Sequence, residues 1–214
     1  MPEAAERQRW LFTYAVDGDL RFISHHDTLR MFRRALARAD LPVRHSEGFN
    51  PHPKVSIPLP RPVGIASESE GLVVEFDRPL EKEDAIGRLA KQMPGGVRIL
   101  EARLLAAGER ILPDWVRYHL EVDSPTPPDL PDRMRRLLDG ERVEVQRTNH
   151  KDKRSSVINV RAFLMGLDSQ ADGVVFTLRV SGGGSARPAE IAGLLGFDAG
   201  AINHRIRRLE IRWK

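Results

Sequence analysis

The chain has 214 residues, 41% of them hydrophobic and 30% charged, and 34 Lys and Arg against 30 Asp and Glu give a formal net charge of +4. That is enough length and apolar content for one large or two small globular domains. With no cysteine anywhere, disulfides, thiolate zinc sites, a cysteine nucleophile and any iron–sulfur cluster held by this chain's own thiolates are excluded.

The opening Met1-Pro2-Glu3-Ala4-Ala5-Glu6-Arg7 lacks the apolar core of a secretory signal. No apolar run approaches the roughly 20 residues of a membrane helix, so the expectation is a cytoplasmic protein with no membrane partner. Trp10, Phe12, Tyr14 and Val16 then alternate with Leu11, Thr13 and Ala15, a period of two that predicts a strand with one face on a core. After the turn Asp17-Gly18-Asp19, Ser24 with Asp27 three residues later resembles a capping box and predicts the start of a helix. Its apolar stripe is Leu29, Phe32, Ala35, Leu36 and Ala39, while Arg30, Arg34 and Arg38 recur every four residues on the far side, joined by Arg33. One face is expected in the core and the other to be a row of guanidinium groups.

Leu41-Pro42-Val43-Arg44 reads as a short strand entering a dense turn, with a return strand over residues 54–59. Within the turn, Gly48 supplies positive φ while Pro51 and Pro53 hold Asn50 and His52 extended, so the polar side chains are aimed by a stiff connection. Leu72, Val74 and Phe76 alternate into another strand. Ala85, Ile86, Leu89 and Met93 have helical spacing and are stopped by Pro94-Gly95-Gly96. Residues 97–104 are the next strand. The order is strand, helix, strand, strand, helix, strand.

The second half repeats it. A strand carries Val116, Tyr118, Leu120 and Val122, a helix carries Leu130, Met134, Leu137 and Leu138, and Val143-Glu144-Val145 is a strand. A basic insertion over residues 147–156 precedes Val157-Ile158-Asn159-Val160. Val174, Phe176, Leu178 and Val180 alternate, a short helix holds Ile191, Leu194 and Leu195, and Leu209, Ile211 and Trp213 close the chain. The predicted fold class is α+β, two ferredoxin-like (βαββαβ) halves with antiparallel sheets and helices on one face, spanning residues 8–106 and 113–214.

Basic residues cluster in three places: Arg30, Arg33, Arg34 and Arg38; Arg147, Lys151, Lys153 and Arg154; and Arg205, Arg207, Arg208 and Arg212. Such clustering favours a polyanion, and nucleic acid is the commonest one. Four of the seven histidines, His25, His26, His45 and His52, fall close together in sequence. If they converge, general acid–base catalysis, a metal site helped by Asp27 or Glu47, and hydrogen bonding to phosphate are all open. Metal is the weakest of the three, since no known ligand spacing is present. Phe49, between Gly48 and Asn50, is a candidate platform for a base.

Leu20-Arg21-Phe22-Ile23-Ser24-His25-His26-Asp27, the Arg-rich helix, and Ser46-Glu47-Gly48-Phe49-Asn50-Pro51-His52-Pro53 resemble the radical SAM-linked domain of unknown function, a bacterial module fused to or encoded beside radical SAM proteins. The family's Ser-His-Leu-Asp maps onto Ser24, His25 and Asp27, with His26 in the leucine's place, which removes His26 from a shared role. Tyrosine and glutamine flank the family's serine where this chain has His45 and Glu47, and these two are likewise set aside.

The resemblance implies a radical SAM partner that carries the iron–sulfur cluster and S-adenosylmethionine, with no cofactor in this chain. The expected function is an RNA-binding accessory module for that enzyme, acting on ribosomal or transfer RNA. Ser24, Asp27, Arg30, Arg34, Arg38, Ser46, Gly48, Phe49, Asn50, Lys54, Arg147, Lys151, Lys153 and Arg154 are the candidate RNA or partner contacts. The competing expectation is a metal-independent endoribonuclease in which His25 and His52 are base and acid for attack by a 2′-hydroxyl.

Overall fold

A computed structural model describes residues 7–122, 127–148, 155–182 and 184–214. Contacts divide the chain into two units, Met1–Leu112 with Lys214, and Pro113–Trp213. The described residues form a mixed α+β protein with four α-helices, and strands within each unit pair antiparallel.

The first unit contains β1 (Gln8–Val16), α1 (His25–Arg38), β2 (Val55–Ser56), β3 (Ala66–Phe76), α2 (Lys82–Ala90) and β4 (Val97–Leu104). Its sheet order is β4-β1-β3-β2. Alternation along β1 sends Trp10, Phe12, Tyr14 and Val16 into one buried cluster with Phe32, Ala35 and Leu36 of α1 and Ala85 and Leu89 of α2. Both helices therefore cover the same sheet face. The Phe32 ring meets Tyr14 edge-on at 4.7 Å between centroids. Full burial of a side chain of this kind stabilises by about 1.5–3 kcal/mol.

Ser24 starts α1. Its Oγ accepts the Asp27 backbone N–H at 3.1 Å and donates to Asp27 Oδ2 at 2.7 Å. At the other end Arg88 of α2 donates to the carbonyls of Ala39 and Asp40, satisfying acceptors that the helix leaves unpaired. Gly96 approaches the Asp17 carbonyl so closely that an added Cβ would lie 2.8 Å from that oxygen, at φ +91°. This contact returns the chain into β4 beside the end of β1, and only glycine suits it.

The flanks of the dense turn are less regular than the expected strands. The entering arm forms only single bridges, Val43 to Phe76 and His45 to Pro53, and the return over residues 54–59 shrinks to Val55–Ser56. Pro42, Pro53, Pro58 and Pro60 have no N–H to give a ladder, which is why the edge stays short.

The second unit contains β5 (Pro113–Glu121), α3 (Leu130–Asp139), β6 (Glu144–Thr148), β7 (Ser155–Asn159), β8 (Leu164–Gln170), β9 (Gly173–Arg179), α4 (Pro188–Leu194) and β10 (Ile206–Trp213). Its main sheet runs β10-β5-β9-β8, and β6 and β7 form a separate two-stranded sheet. Val116, Tyr118 and Leu120 of β5, Val174, Phe176 and Leu178 of β9, and Ile191 of α4 are buried. Tyr118 stacks on Phe176 at 5.4 Å.

One expectation is corrected here. Residues 143–145 and 157–160 do not supply the strand beside β9; they belong to, or flank, the β6–β7 hairpin, and β8 takes that place. The reason lies in β8 itself. Its register shifts between Leu164 and Gly166, a bulge that breaks the alternation by which a strand is recognised.

Candidate functional site

The loop between α1 and β2 is held at its base by Glu75 of β3. The Arg44 N–H donates to the Glu75 carbonyl at 2.8 Å, and the Glu75 N–H donates to the Lys54 carbonyl at 3.1 Å. Side chains repeat the clamp: the Glu75 carboxylate lies 3.4 Å from the Arg44 guanidinium and 3.5 Å from Lys54 Nζ. One step further out, the Ser46 N–H donates to the His52 carbonyl at 2.8 Å, and Ser46 Oγ accepts the His52 N–H at 3.0 Å. Residues 47–51 are thus closed into a short projecting loop. Gly48 takes φ +125° and Phe49 stands wholly exposed at 107% of its reference surface.

Beside this loop lies a groove of about 280 Å³, whose lining includes Arg9, Arg33, Ser46, His52, Lys54 and Glu75. The lining holds three cations and one carboxylate, with the Arg9 guanidinium donating to the Glu109 carbonyl at 2.5 Å. Glu75 is shared between Arg44 and Lys54, and Arg33 makes no hydrogen bond or ion pair with the described residues. The groove therefore suits an anion, with the His52 imidazole and Ser46 hydroxyl at hand for hydrogen bonds.

The structure brings Ser46, His52 and Lys54 together with the α1 arginines, through Arg33. It does not bring in Ser24, His25 and Asp27. These sit at the start of α1, about 9–14 Å along the helix axis from Arg33 at 1.5 Å per residue. Asp27 is committed locally, with Oδ2 taking the Ser24 hydroxyl and Oδ1 taking Arg30 at 2.9 Å. Its carboxylate occupies the helix terminus where an outside anion would otherwise go. His25 titrates below an ordinary histidine because of partial burial and then the neighbouring His26, whose ring centroid is 5.7 Å away.

Among the other predicted contacts, Arg34 is exposed without a partner among the described residues, and Arg38 donates to the Gln92 carbonyl at 2.8 Å. Arg147 forms a forked pair with Glu190, at 2.6 and 2.8 Å, and donates to the Ser185 carbonyl at 2.7 Å. Lys151, Lys153 and Arg154 lie outside the described residues. Among the described residues no three His, Asp or Glu side chains gather as metal ligands, and no helix is long and apolar enough to cross a membrane.

Arg9 and Glu75 were not singled out from sequence. They share a sheet face with the buried Leu11 and Val73, so alternation does not mark them, and the strand register puts them beside the loop, since Arg9 pairs with Glu75. Three larger hollows, of about 560, 440 and 300 Å³, lie in the second unit.

A bacterial protein class follows from comparison with known families. The chain belongs to the family described as an uncharacterized protein conserved in bacteria (DUF2344), whose profile matches residues 9–188. No curated protein matches. Among solved structures the chain is similar to the crystal structure of an unknown protein from Galdieria sulphuraria, at 12% identity, 98% coverage of this chain, 99% coverage of that chain and a TM-score of 0.27.

Proposed function

We propose that this chain is an RNA-binding accessory module that presents RNA to a radical SAM enzyme in the bacterial cytoplasm. The observation that carries the RNA reading is the groove of Arg9, Arg33, His52 and Lys54 beside the exposed Phe49. Guanidinium and ammonium groups suit phosphates, and a projecting aromatic ring suits the face of an unpaired base. The radical SAM partner is inferred from the resemblance of the motifs around Ser24 and Ser46. That partner would carry the iron–sulfur cluster and S-adenosylmethionine, because this chain has no cysteine with which to hold a thiolate-bound cluster. We read each unit as a ferredoxin-like half, supported by the matching orders β4-β1-β3-β2 and β10-β5-β9-β8.

The binding reading is favoured over an endoribonuclease. Acid–base cleavage needs two groups at one phosphate, and the groove is lined by His52 and not by His25. The test is binding of cellular RNA by the purified chain, followed by co-purification from the native host. Phe49→Ala and Arg33→Glu should each weaken RNA binding, and a radical SAM protein should co-purify. RNA affinity unchanged by both substitutions would remove the groove from the function, and recovery without a radical SAM protein would remove the partner.

A further inference from the structure

We propose a second RNA surface on the second unit, where the open face of β10, β5 and β9 stacks unpaired bases on Trp115. This surface is separate from the groove beside Phe49, so either can fail while the other stands. Along β5, Val116, Tyr118 and Leu120 are buried. Trp115, Arg117 and His119 alternate with them and so occupy the opposite face.

Register then surrounds the indole with guanidinium groups. Trp115 pairs with Arg212 of β10 on one side and with Arg179 of β9 on the other. Directly paired residues of antiparallel strands project side by side on one face, and the two arginines are two strand spacings apart, about 10 Å. Both are exposed, and neither makes a hydrogen bond or ion pair with the described residues. Arg117 completes the ring, with its guanidinium carbon 5.6 Å from the Trp115 centroid and a long 3.8 Å pair to Glu210.

Three cations around one half-buried aromatic, against one paired carboxylate, repel one another unless a polyanion lies across them. Single-stranded RNA fits both parts of this arrangement. Its bases offer flat faces to the indole, and its phosphates lie on either side for the arginines. Duplex bases are already stacked and cannot reach Trp115. An acidic polypeptide would engage the arginines and leave the indole face unused.

The experiment titrates the full chain with a mixed-sequence single-stranded RNA of about 12 nucleotides, a length within the usual site size. Trp115→Ala should weaken binding by roughly 5- to 150-fold, the range of one lost base stack. The double substitution Arg179→Gln with Arg212→Gln changes exposed side chains only and covers the case in which Trp115→Ala does not fold. It should lower the log–log salt slope by about 1.4, for two phosphates at about 0.7 each. The same sequence as a duplex should bind far more weakly. Wild-type binding by both variants, with Phe49→Ala still weakened, would overturn this surface and spare the groove. Equal binding of duplex would overturn it, as would poly-glutamate being held in preference to RNA. A wild-type chain that binds no RNA would overturn both sites.

Discussion

Ser46 grips His52 twice, through its backbone N–H to the His52 carbonyl at 2.8 Å and through its Oγ, which accepts the His52 N–H at 3.0 Å. The second bond is the removable one. Ser46→Ala should cost about 0.5–1.5 kcal/mol locally and loosen residues 47–51 without disturbing the core. Because Phe49 is already exposed at the loop tip, chymotrypsin should cut after it faster in the variant, while the thermal unfolding midpoint moves by only a few degrees. A cutting rate equal to the wild type would show that the hydroxyl does not hold the loop.

Salt dependence measures how many phosphates the groove takes. Of the groove's cations, Arg9 donates to the Glu109 carbonyl at 2.5 Å and Lys54 pairs with Glu75, which leaves Arg33 uncommitted among the described residues and gives at least one phosphate contact, a log–log slope of about −0.7 for single-stranded RNA. Arg33→Gln should reduce the magnitude by about 0.7, because Arg33 has no competing partner among the described residues. An unchanged slope would remove Arg33 from the interface.

The histidines separate binding from cleavage. Purified protein incubated with RNA and EDTA should leave the strand intact, and His52→Ala should weaken binding by an amount the size of one hydrogen bond, about 0.5–1.5 kcal/mol. His25→Ala should leave affinity close to the wild type. Were the chain a nuclease, either substitution would lower a cleavage rate by about 10²–10⁴-fold with binding intact. Cleavage in EDTA that depends on both histidines would reverse the ranking of the two functions.

The Arg147–Glu190 pair makes stability depend on pH. Burial by itself raises the Glu190 carboxyl, but hydrogen bonds from Arg147 and from the Arg187 N–H, with the charges of both arginines, outweigh it and leave the group below an ordinary glutamate. The unfolded chain therefore takes up this proton at a higher pH than the folded chain does. The stabilisation is complete above the ordinary glutamate value, about 4.3, and is lost as pH falls through the lower folded value. Glu190→Gln should cost about 2 kcal/mol at neutral pH, as expected for a hydrogen bond to a charged group, and should flatten the acid limb of urea unfolding. An acid limb as steep as the wild type would assign the pH dependence elsewhere.

Much of the architecture can be read from period alone. The alternations of β1, β5 and β9 and the stripe Phe32, Ala35 and Leu36 follow simple rules, and the Ser24 cap appears with its expected bond to the Asp27 N–H. β8 was missed because Gly166 and a register shift interrupt its pattern. The candidate site was legible only in part, for a related reason. Ser46, His52 and Lys54 announce themselves by density in one turn, whereas Arg9 and Glu75 join them through a pairing 66 positions apart in sequence, which local periodicity does not encode. The Arg179-Trp115-Arg212 row was hidden in the same way, being a property of register across three strands.

The β6–β7 hairpin adds no strand to the main sheet, and its two ends meet where the Val160 N–H donates to the Val143 carbonyl at 2.8 Å. The hairpin thus branches from the main sheet of the second unit at one place, with Arg147 of β6 tied back to Glu190 of α4. Lengthening such an arm costs little, since each doubling of a flexible loop adds only about 0.6 kcal/mol of closure entropy. An insertion at this hairpin should therefore leave the main sheet of the second unit, β10-β5-β9-β8, intact.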